Sequence, residues 1–496
     1  MLLMPLIPFG EYKPDLSDYE AQTGRNVLNV VPRGDGYGPF PSLAAMSQSL
    51  GDQCRGAFAA YKTDGSVVVF AATAGDLWKM DNTTYAWSKV SLGGGPYASI
   101  SANDSWQFVQ FNNLVIAVQS NVAPQVFDIS SSTAFANLAG SPPQARYIDV
   151  VGRFVVLGGL LSNPNRVQWS GLNDVNGANS WTPGINSADF QDLADGGFCR
   201  GIAGGETGVI LQDSIIRRMI YLPGDPRVFQ IQKIAEGLGI YGPSSLVRSG
   251  SSIFFYSLKG FHRIDPGGVP VPIGRERVDR TFSDDLDATN PQLFQGFSDP
   301  RSSRVIWAYK SVNGVVNQFD KALCYDQVLD KFTPLQVSGE FLFRMGQPGI
   351  TLEAVDTLIG SNLDAIVQSF DNLSTVIVPE LAAFSIDHKA SFFRGPNLEA
   401  TLETAEQGTD GRRVKLKIGF RPVSDAPAVF GSASRRENLQ AVAQAGVEKL
   451  VNAVTGICNM LLDTRYSRFR CRIPAGSVWT FINGVEPVDL AAKGKR

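Results

Sequence analysis

The sequence predicts a mainly β chain organised around a β-propeller of six to eight blades. Its composition favours short strands: Gly numbers 50 of 496 residues, aromatics make up 10% and charged residues only 18%. Gly supplies the positive φ that tight turns need, and aromatic rings fill sheet faces. A strongly apolar strand also recurs after a polar hairpin turn between about residues 54 and 371, and in most units a second strand ending on a polar residue follows it. Repeats of this kind are the signature of blades.

Residues 1–50 come first and carry prolines, a Gly34-Asp35-Gly36 turn and little periodicity, which predicts an extended N-terminal arm. Its start, Met1-Leu2-Leu3-Met4-Pro5-Leu6-Ile7-Pro8, is apolar but broken by prolines and has no basic leader, so it does not read as a signal peptide. No run in the chain approaches the roughly 20 apolar residues of a membrane-spanning helix, so no membrane-spanning segment is expected.

Residues 51–375 hold the repeats. The apolar strand appears as Val67-Val68-Val69-Phe70, Leu114-Val115-Ile116-Ala117-Val118 and Phe154-Val155-Val156-Leu157, and again as Val209-Ile210-Leu211, Ile253-Phe254-Phe255 and Val305-Ile306-Trp307. Such strands are apolar on both faces because a blade packs against a neighbour on each side. The next strand ends on Asp81, Asp128, Ser170, Asp265 and Asp326, with a weak late copy at Val367-Gln368-Ser369-Phe370-Asp371. The fourth unit departs from this ending with Ile215-Ile216-Arg217-Arg218-Met219-Ile220. A shorter outer strand follows, as in Trp87-Ser88-Lys89-Val90 and Phe332-Thr333-Pro334-Leu335. Pro334, Pro270 and Pro272 fit there because the outer strand of a blade is an edge. Four strands per unit at a spacing of roughly 40–55 residues is the arithmetic of propeller blades.

Residues 376–496 predict a C-terminal β-rich domain carrying one helix. Val414 to Phe420 alternates as a half-buried strand, and so does Ser467-Arg468-Phe469-Arg470-Cys471-Arg472-Ile473. Between them, Ser434-Arg435-Arg436-Glu437 has the form of a capping box, and Leu439, Val442, Ala443, Val447, Leu450, Val451 and Val454 follow helical spacing.

Motifs for catalysis are missing from the sequence, which contains no nucleophile elbow, phosphate loop, HExxH or dinucleotide fingerprint. The two histidines, His262 and His388, stand outside any motif. Five scattered cysteines, Cys54, Cys199, Cys324, Cys458 and Cys471, form no CxxC pair and read as reduced core thiols of a chain folded in a cytoplasm. Asp174-Val175-Asn176-Gly177 starts like a calcium loop, but the closing acidic residue is missing, so an Asx turn is expected. The strand-end aspartates are expected to accept backbone N–H groups of adjacent turns. The reading is therefore of a protein that is not an enzyme and has no cofactor or metal. One basic cluster stands out: Arg468, Arg470 and Arg472 share a strand face and predict a protein interface. A net charge of −3 argues against tight binding to nucleic acid, which needs a basic surface.

A Pro-rich arm with Pro39-Phe40-Pro41-Ser42-Leu43, then divergent propeller repeats, then a β-rich C-terminal domain resembles the tail hub, or nozzle, proteins of short-tailed double-stranded DNA bacteriophages. The stretch Gly237-Leu238-Gly239-Ile240-Tyr241-Gly242-Pro243-Ser244-Ser245, with Phe254-Phe255-Tyr256-Ser257 and Gly260-Phe261-His262-Arg263 after it, carries much of the resemblance. So does the closing segment with its arginine strand, Trp479 and Gly484-Val485-Glu486-Pro487. The helical spacing near 434–454 departs from the family pattern.

The resemblance implies a structural virion protein, assembled in the host cytoplasm into the tail as a homo-oligomeric ring, typically a hexamer. Such a ring meets a head-to-tail adaptor protein, anchors tail fibres or spikes, and gates genome ejection while genomic DNA passes its channel without specific binding. A competing reading is a glycan-binding propeller, lectin or sialidase-like, with Trp169 and Trp181 stacking on sugars. The Ser-x-Asp-x-Gly-x-x-Trp boxes of sialidase blades are absent from the sequence.

Overall fold

Strand Val67–Ala72 shows how the blades are made. All its residues are buried. Val67, Val69 and Ala71 pack on one side with Phe341, Phe343 and Phe384. Val68, Phe70 and Ala72 pack on the other with Val115, Phe127 and Phe135. One strand thus serves two cores, which is why its sequence is apolar without alternation.

The chain's architecture is read from a computed structural model, which describes residues 6–17, 19, 23–346, 379–408 and 412–492. Seven four-stranded antiparallel sheets form a seven-bladed β-propeller. Their innermost strands are Gly56–Tyr61, Gln107–Phe111, Ala145–Val151, Cys199–Ala203, Val247–Ser249, Gln295–Ser298 and Phe341–Gly346. Each of the seven gaps between neighbouring blades holds its own apolar core, including the gap between the last blade and the first. The apolar strands anticipated from the repeats are the second strands of blades 1 to 6, and the strands ending on Asp81, Asp128, Ser170, Asp265 and Asp326 are the third. The copy at Val367–Asp371 lies outside the described residues.

The seventh blade corrects the extended-arm reading of residues 1–50. Its strands are Phe341–Gly346, Pro379–Phe384, Lys389–Asn397 and, outermost, Pro41–Ser49. Leu43, Ala44 and Ala45 pair with Phe393, Phe392 and Ser391. The N-terminal segment therefore closes the ring, and the propeller runs past residue 376 to Asn397.

The rest of the N-terminal segment belongs to a second domain of two seven-stranded sheets. Ile7–Pro8, Val30–Pro32 and Tyr37–Pro39 join the sheet of Val414–Ser424 and Ile482–Ala492. Val27–Leu28 joins the other, beside Ala400–Glu403, Tyr466–Ile473 and Phe430–Arg436. Between the sheets lie Phe9, Val30, Tyr37, Phe420, Phe469 and Trp479 among others. The two layers come close at Gly431, where a Cβ would stand 2.6 Å from Phe420 Cζ and 2.7 Å from Cys458 Sγ. These N-terminal strands are two or three residues long, too short to show a period.

The helix expected near 434–454 is a second correction. Ser434, Arg435 and Arg436 lie in strand Phe430–Arg436 and pair with Arg468, Ser467 and Tyr466. Two short edge strands, Gln444–Ala445 and Lys449–Leu450, then pair back onto the same strand. Turns break the helix: Asn438 and Asn452 accept backbone N–H groups two or three residues on, and Gly456 takes φ +67. The described α-helix is instead Asp279–Asp285, between blades 5 and 6, with Phe282 packed among Tyr256, Phe261 and Tyr309.

Candidate functional site

The arginine strand Tyr466–Ile473 alternates as its sequence predicts: Phe469, Cys471 and Ile473 are buried in the sandwich, and Arg468, Arg470 and Arg472 lie on the other face. The three arginines meet different surroundings. Arg472 lies 2.7 Å from Glu448 and 2.9 Å from Glu399, over the Phe430 ring at 4.5 Å. The Glu448 carboxylate is held below its ordinary pKa, first by its hydrogen bond with Arg472. Arg468 approaches the buried Glu406 at 3.5 Å, and Arg436 pairs with the same carboxylate. Arg470 is exposed and faces a cleft of about 1030 Å³ between the second domain and blades 5 and 6. Across that cleft stand Tyr12, Asp285, Tyr309 and Lys321. Tyr309 donates its hydroxyl to Asp285 at 2.9 Å, and Lys321 lies 2.8 Å from the same carboxylate. The stripe is thus largely matched by acids of its own domain, with Arg470 the arginine that opens to the cleft.

A different surface escaped the sequence reading. Val442 is 90% exposed, Val447 80%, Val454 95% and Leu461 77%, with Leu450 also exposed on the edge strand beside them. Val442, Val447, Leu450 and Val454 belong to the stretch that mimics an amphipathic helix. Helical spacing implied a buried face, and the turns at Asn438, Asn452 and Gly456 turn that face into a row in solvent.

The remaining candidates resolve as structural parts. Asp81 accepts the N–H groups of Thr83 and Thr84, Asp128 that of Ser130, and Asp326 those of Val328 and Leu329. Asp265 accepts from the Ser252 hydroxyl, and Asp371 lies outside the described residues. Gly177 donates its N–H to Asp174 Oδ1 at 3.1 Å, the bond of an Asx turn. His262 is buried and stacks on Phe255, and burial lowers its pKa. His388 sits 2.7 Å from Glu340 at the seventh blade's hairpin. All five cysteines are buried and free, and burial raises the thiol pKa of each.

Trp169 and Trp181 correct the sugar-stacking reading. Both are buried, with Trp169 Nε1 donating to Ser187 O and Trp181 Nε1 to Val175 O. Neither ring face is available to a glycan.

No protein-family model and no curated protein matches the chain. Among solved structures, it is similar to the extracellular domain of a putative hybrid two-component system from B. thetaiotaomicron, at 10% identity and a TM-score of 0.40, over 82% of this chain and 45% of that one. It thus spans less than half the length of that structure. It is also similar to BamB from Moraxella catarrhalis, at 11% identity and a TM-score of 0.31, over 63% and 94% of the two chains. A third likeness is to the computationally designed Ika8 protein, at 11% identity and a TM-score of 0.34, over 72% and 99%. These likenesses carry no argument about function.

Proposed function

We propose that this chain is a structural subunit of a phage tail hub or nozzle: copies join in a ring at the distal end of the tail, extend the DNA channel, hold fibres or spikes outside and gate genome ejection. The observation that carries this reading is that Val442, Val447, Val454 and Leu461, all in loops between the second domain's short strands, are exposed by 77–95%. Apolar residues so exposed favour burial against protein by roughly 1.5–3 kcal/mol per fully buried side chain. A ring supplies that protein, since each copy in a closed cyclic assembly meets a neighbour. The order of parts, with propeller repeats followed by a β-rich domain, supports the same reading through the resemblance to the family. The net charge of −3 suits a channel that lets DNA slide without adhesion. The work is done by contact between proteins, with no covalent step.

Native mass measured by mass photometry tests the reading, on the purified chain alone and after incubation with lysate of phage-infected cells. A ring of about six subunits, or incorporation into a tail-like particle, is the expected result. A monomer in both conditions overturns it.

A further inference from the structure

The propeller's axial channel ends, on the side where the innermost strands finish, in a ring of side chains contributed by six of the seven blades. Tyr61, Gln110, Asp149, Arg248, Ser298 and Arg344 sit near the ends of the innermost strands of blades 1, 2, 3, 5, 6 and 7, and all line one cavity of about 460 Å³. Blade 4 supplies no side chain beyond Ala203; Gly204 and Gly205 follow it. A Cβ on Gly204 would stand 2.7 Å from Asp149 Oδ1, and one on Gly205 would stand 3.1 Å from Arg248 Nη1. Glycine here lets the carboxylate and the guanidinium crowd the same stretch of backbone.

The charges at this mouth do not cancel. Among the described residues that line it, Asp149 is the one carboxylate, and both oxygens already accept backbone N–H groups, from Val150 at 2.7 Å and Gly204 at 2.6 Å. Arg248 commits Nε to Gly250 O at 3.2 Å. Among the described residues, neither Arg248 nor Arg344 makes a direct salt bridge, although Arg248 acts through space on the Asp149 carboxyl, and the Arg344 side chain is exposed. The Tyr61 hydroxyl is buried and has no hydrogen-bond partner among the described residues. Burial holds that hydroxyl above its ordinary pKa, so it remains a donor. Buried polar groups are rarely left without partners. Deeper in, the wall turns apolar at Ala57, Ala59, Ile202 and Phe297.

The geometry points to an oxyanion-binding site at this mouth, in which Arg248, Arg344 and the Tyr61 hydroxyl donate to a small carboxylate or phosphate. Guanidinium groups suit both, since their planar forks pair with either anion. The apolar wall below favours an organic carboxylate, whose carbon part can rest there, over inorganic phosphate. The site stands independently of the tail reading.

Isothermal titration calorimetry of the full chain with succinate and with inorganic phosphate, at fixed ionic strength, tests the site. The expected result is saturable binding of succinate, with phosphate weaker. Arg344→Gln and Arg248→Gln should each weaken binding roughly tenfold or more, the loss of one charge-assisted hydrogen bond. Tyr61→Phe should weaken it by a smaller factor, and Arg344→Lys should restore part of what Arg344→Gln loses. Arg146→Gln, at the opposite mouth, should leave binding unchanged. Melting temperatures without anion verify that each variant is folded. Absence of saturable binding by the unaltered chain overturns the proposal, as does binding that survives both Arg344→Gln and Arg248→Gln. Tighter binding of phosphate than succinate supports the site and assigns it to the inorganic anion.

Discussion

In blade 1 every residue of Val67–Ala72 is buried, whereas in the second domain Val442, Val447, Val454 and Leu461 stand in solvent. Both stretches are rich in valine, and the difference lies in what each has for neighbours. A blade's middle strand is flanked by two other blades of the same chain, so its apolar residues are covered on both sides. The short edge strands Gln444–Ala445 and Lys449–Leu450 pair with Phe430–Arg436, and among the described residues no further strand pairs with them; Val442, Val447 and Val454, in the loops beside them, stand in solvent. The propeller completes its cores internally, and the second domain leaves these apolar side chains in solvent.

Substitutions can break that comparison at either end. The largest expected effect is in the propeller: Phe70→Ala removes a fully buried ring packed edge-on against Phe127 and Phe135 at centroid distances of 5.0 and 5.5 Å. A cost of about 3–5 kcal/mol is expected from the lost burial and the cavity left behind, read as a lowered midpoint in chemical denaturation. Next comes the second domain's own core. Gly431→Ala places a methyl within 2.6–2.7 Å of Phe420 and Cys458, and overpacking of this kind costs about 1–3 kcal/mol. Intrinsic fluorescence of Trp479, which is buried in that core, should report the loss when compared with a Trp479→Phe background.

A pH effect of moderate size marks the junction of blades 5 and 6. Asp279 has its carboxyl pushed up to about 6, mainly by burial and secondarily by Asp15, against the N–H of Phe261 that it accepts. A carboxyl raised in the folded state favours folding fully below the unfolded value near 3.8, and that contribution is lost as pH rises through about 6. Asp279→Asn, which keeps an acceptor for Phe261, should therefore gain stability relative to the unaltered chain at pH 7–8 and gain little near pH 4. Melting curves across that range check the sign.

The smallest effect on stability is expected where the comparison is most pointed. Val442→Asp with Val454→Asp should change the denaturation midpoint of the isolated chain by no more than about 0.5 kcal/mol, as exposed positions do. The same pair should reduce a ring to smaller species in mass photometry. If assembly is unchanged, the exposed row is not the contact between copies.

Legibility in the sequence followed the same divide. Repetition made the propeller readable: six apolar second strands and the polar strand ends recur often enough that chance does not explain them, and their burial on both faces leaves no other period. The turns at Asp81, Asp128 and Asp326 were equally readable, because such a turn is a local interaction between a side chain and the backbone two or three residues on, whereas Asp265 accepts from the Ser252 hydroxyl instead. The arginine strand also alternates as predicted, although its acidic partners come from three separate stretches: Glu399, Glu406 and Glu448. Nothing in the strand itself names them.

Short-range pattern failed where the decision was long-range. The N-terminal segment shows no period because its strands in the second domain are only two or three residues long and take their order from the sheets they join. Residues 437–454 carry a helical period that local turns and pairing with Phe430–Arg436 override. The axial mouth is the extreme case, since Tyr61, Asp149, Arg248 and Arg344 meet only because seven blades close on one axis.

By itself, then, the order of residues determined the blade repeat, the strand polarity and the turns, because these arise from burial on both faces and from contacts a few residues apart. The tertiary structure alone decided that Pro41–Ser49 closes the seventh blade, that both chain ends share one sandwich, and that valines spaced for a helix stand exposed. The first two depend on pairings across hundreds of residues, and the third on edge strands that fold back onto Phe430–Arg436; in each case the free energy comes from sheet pairing and cores that a helical window does not contain.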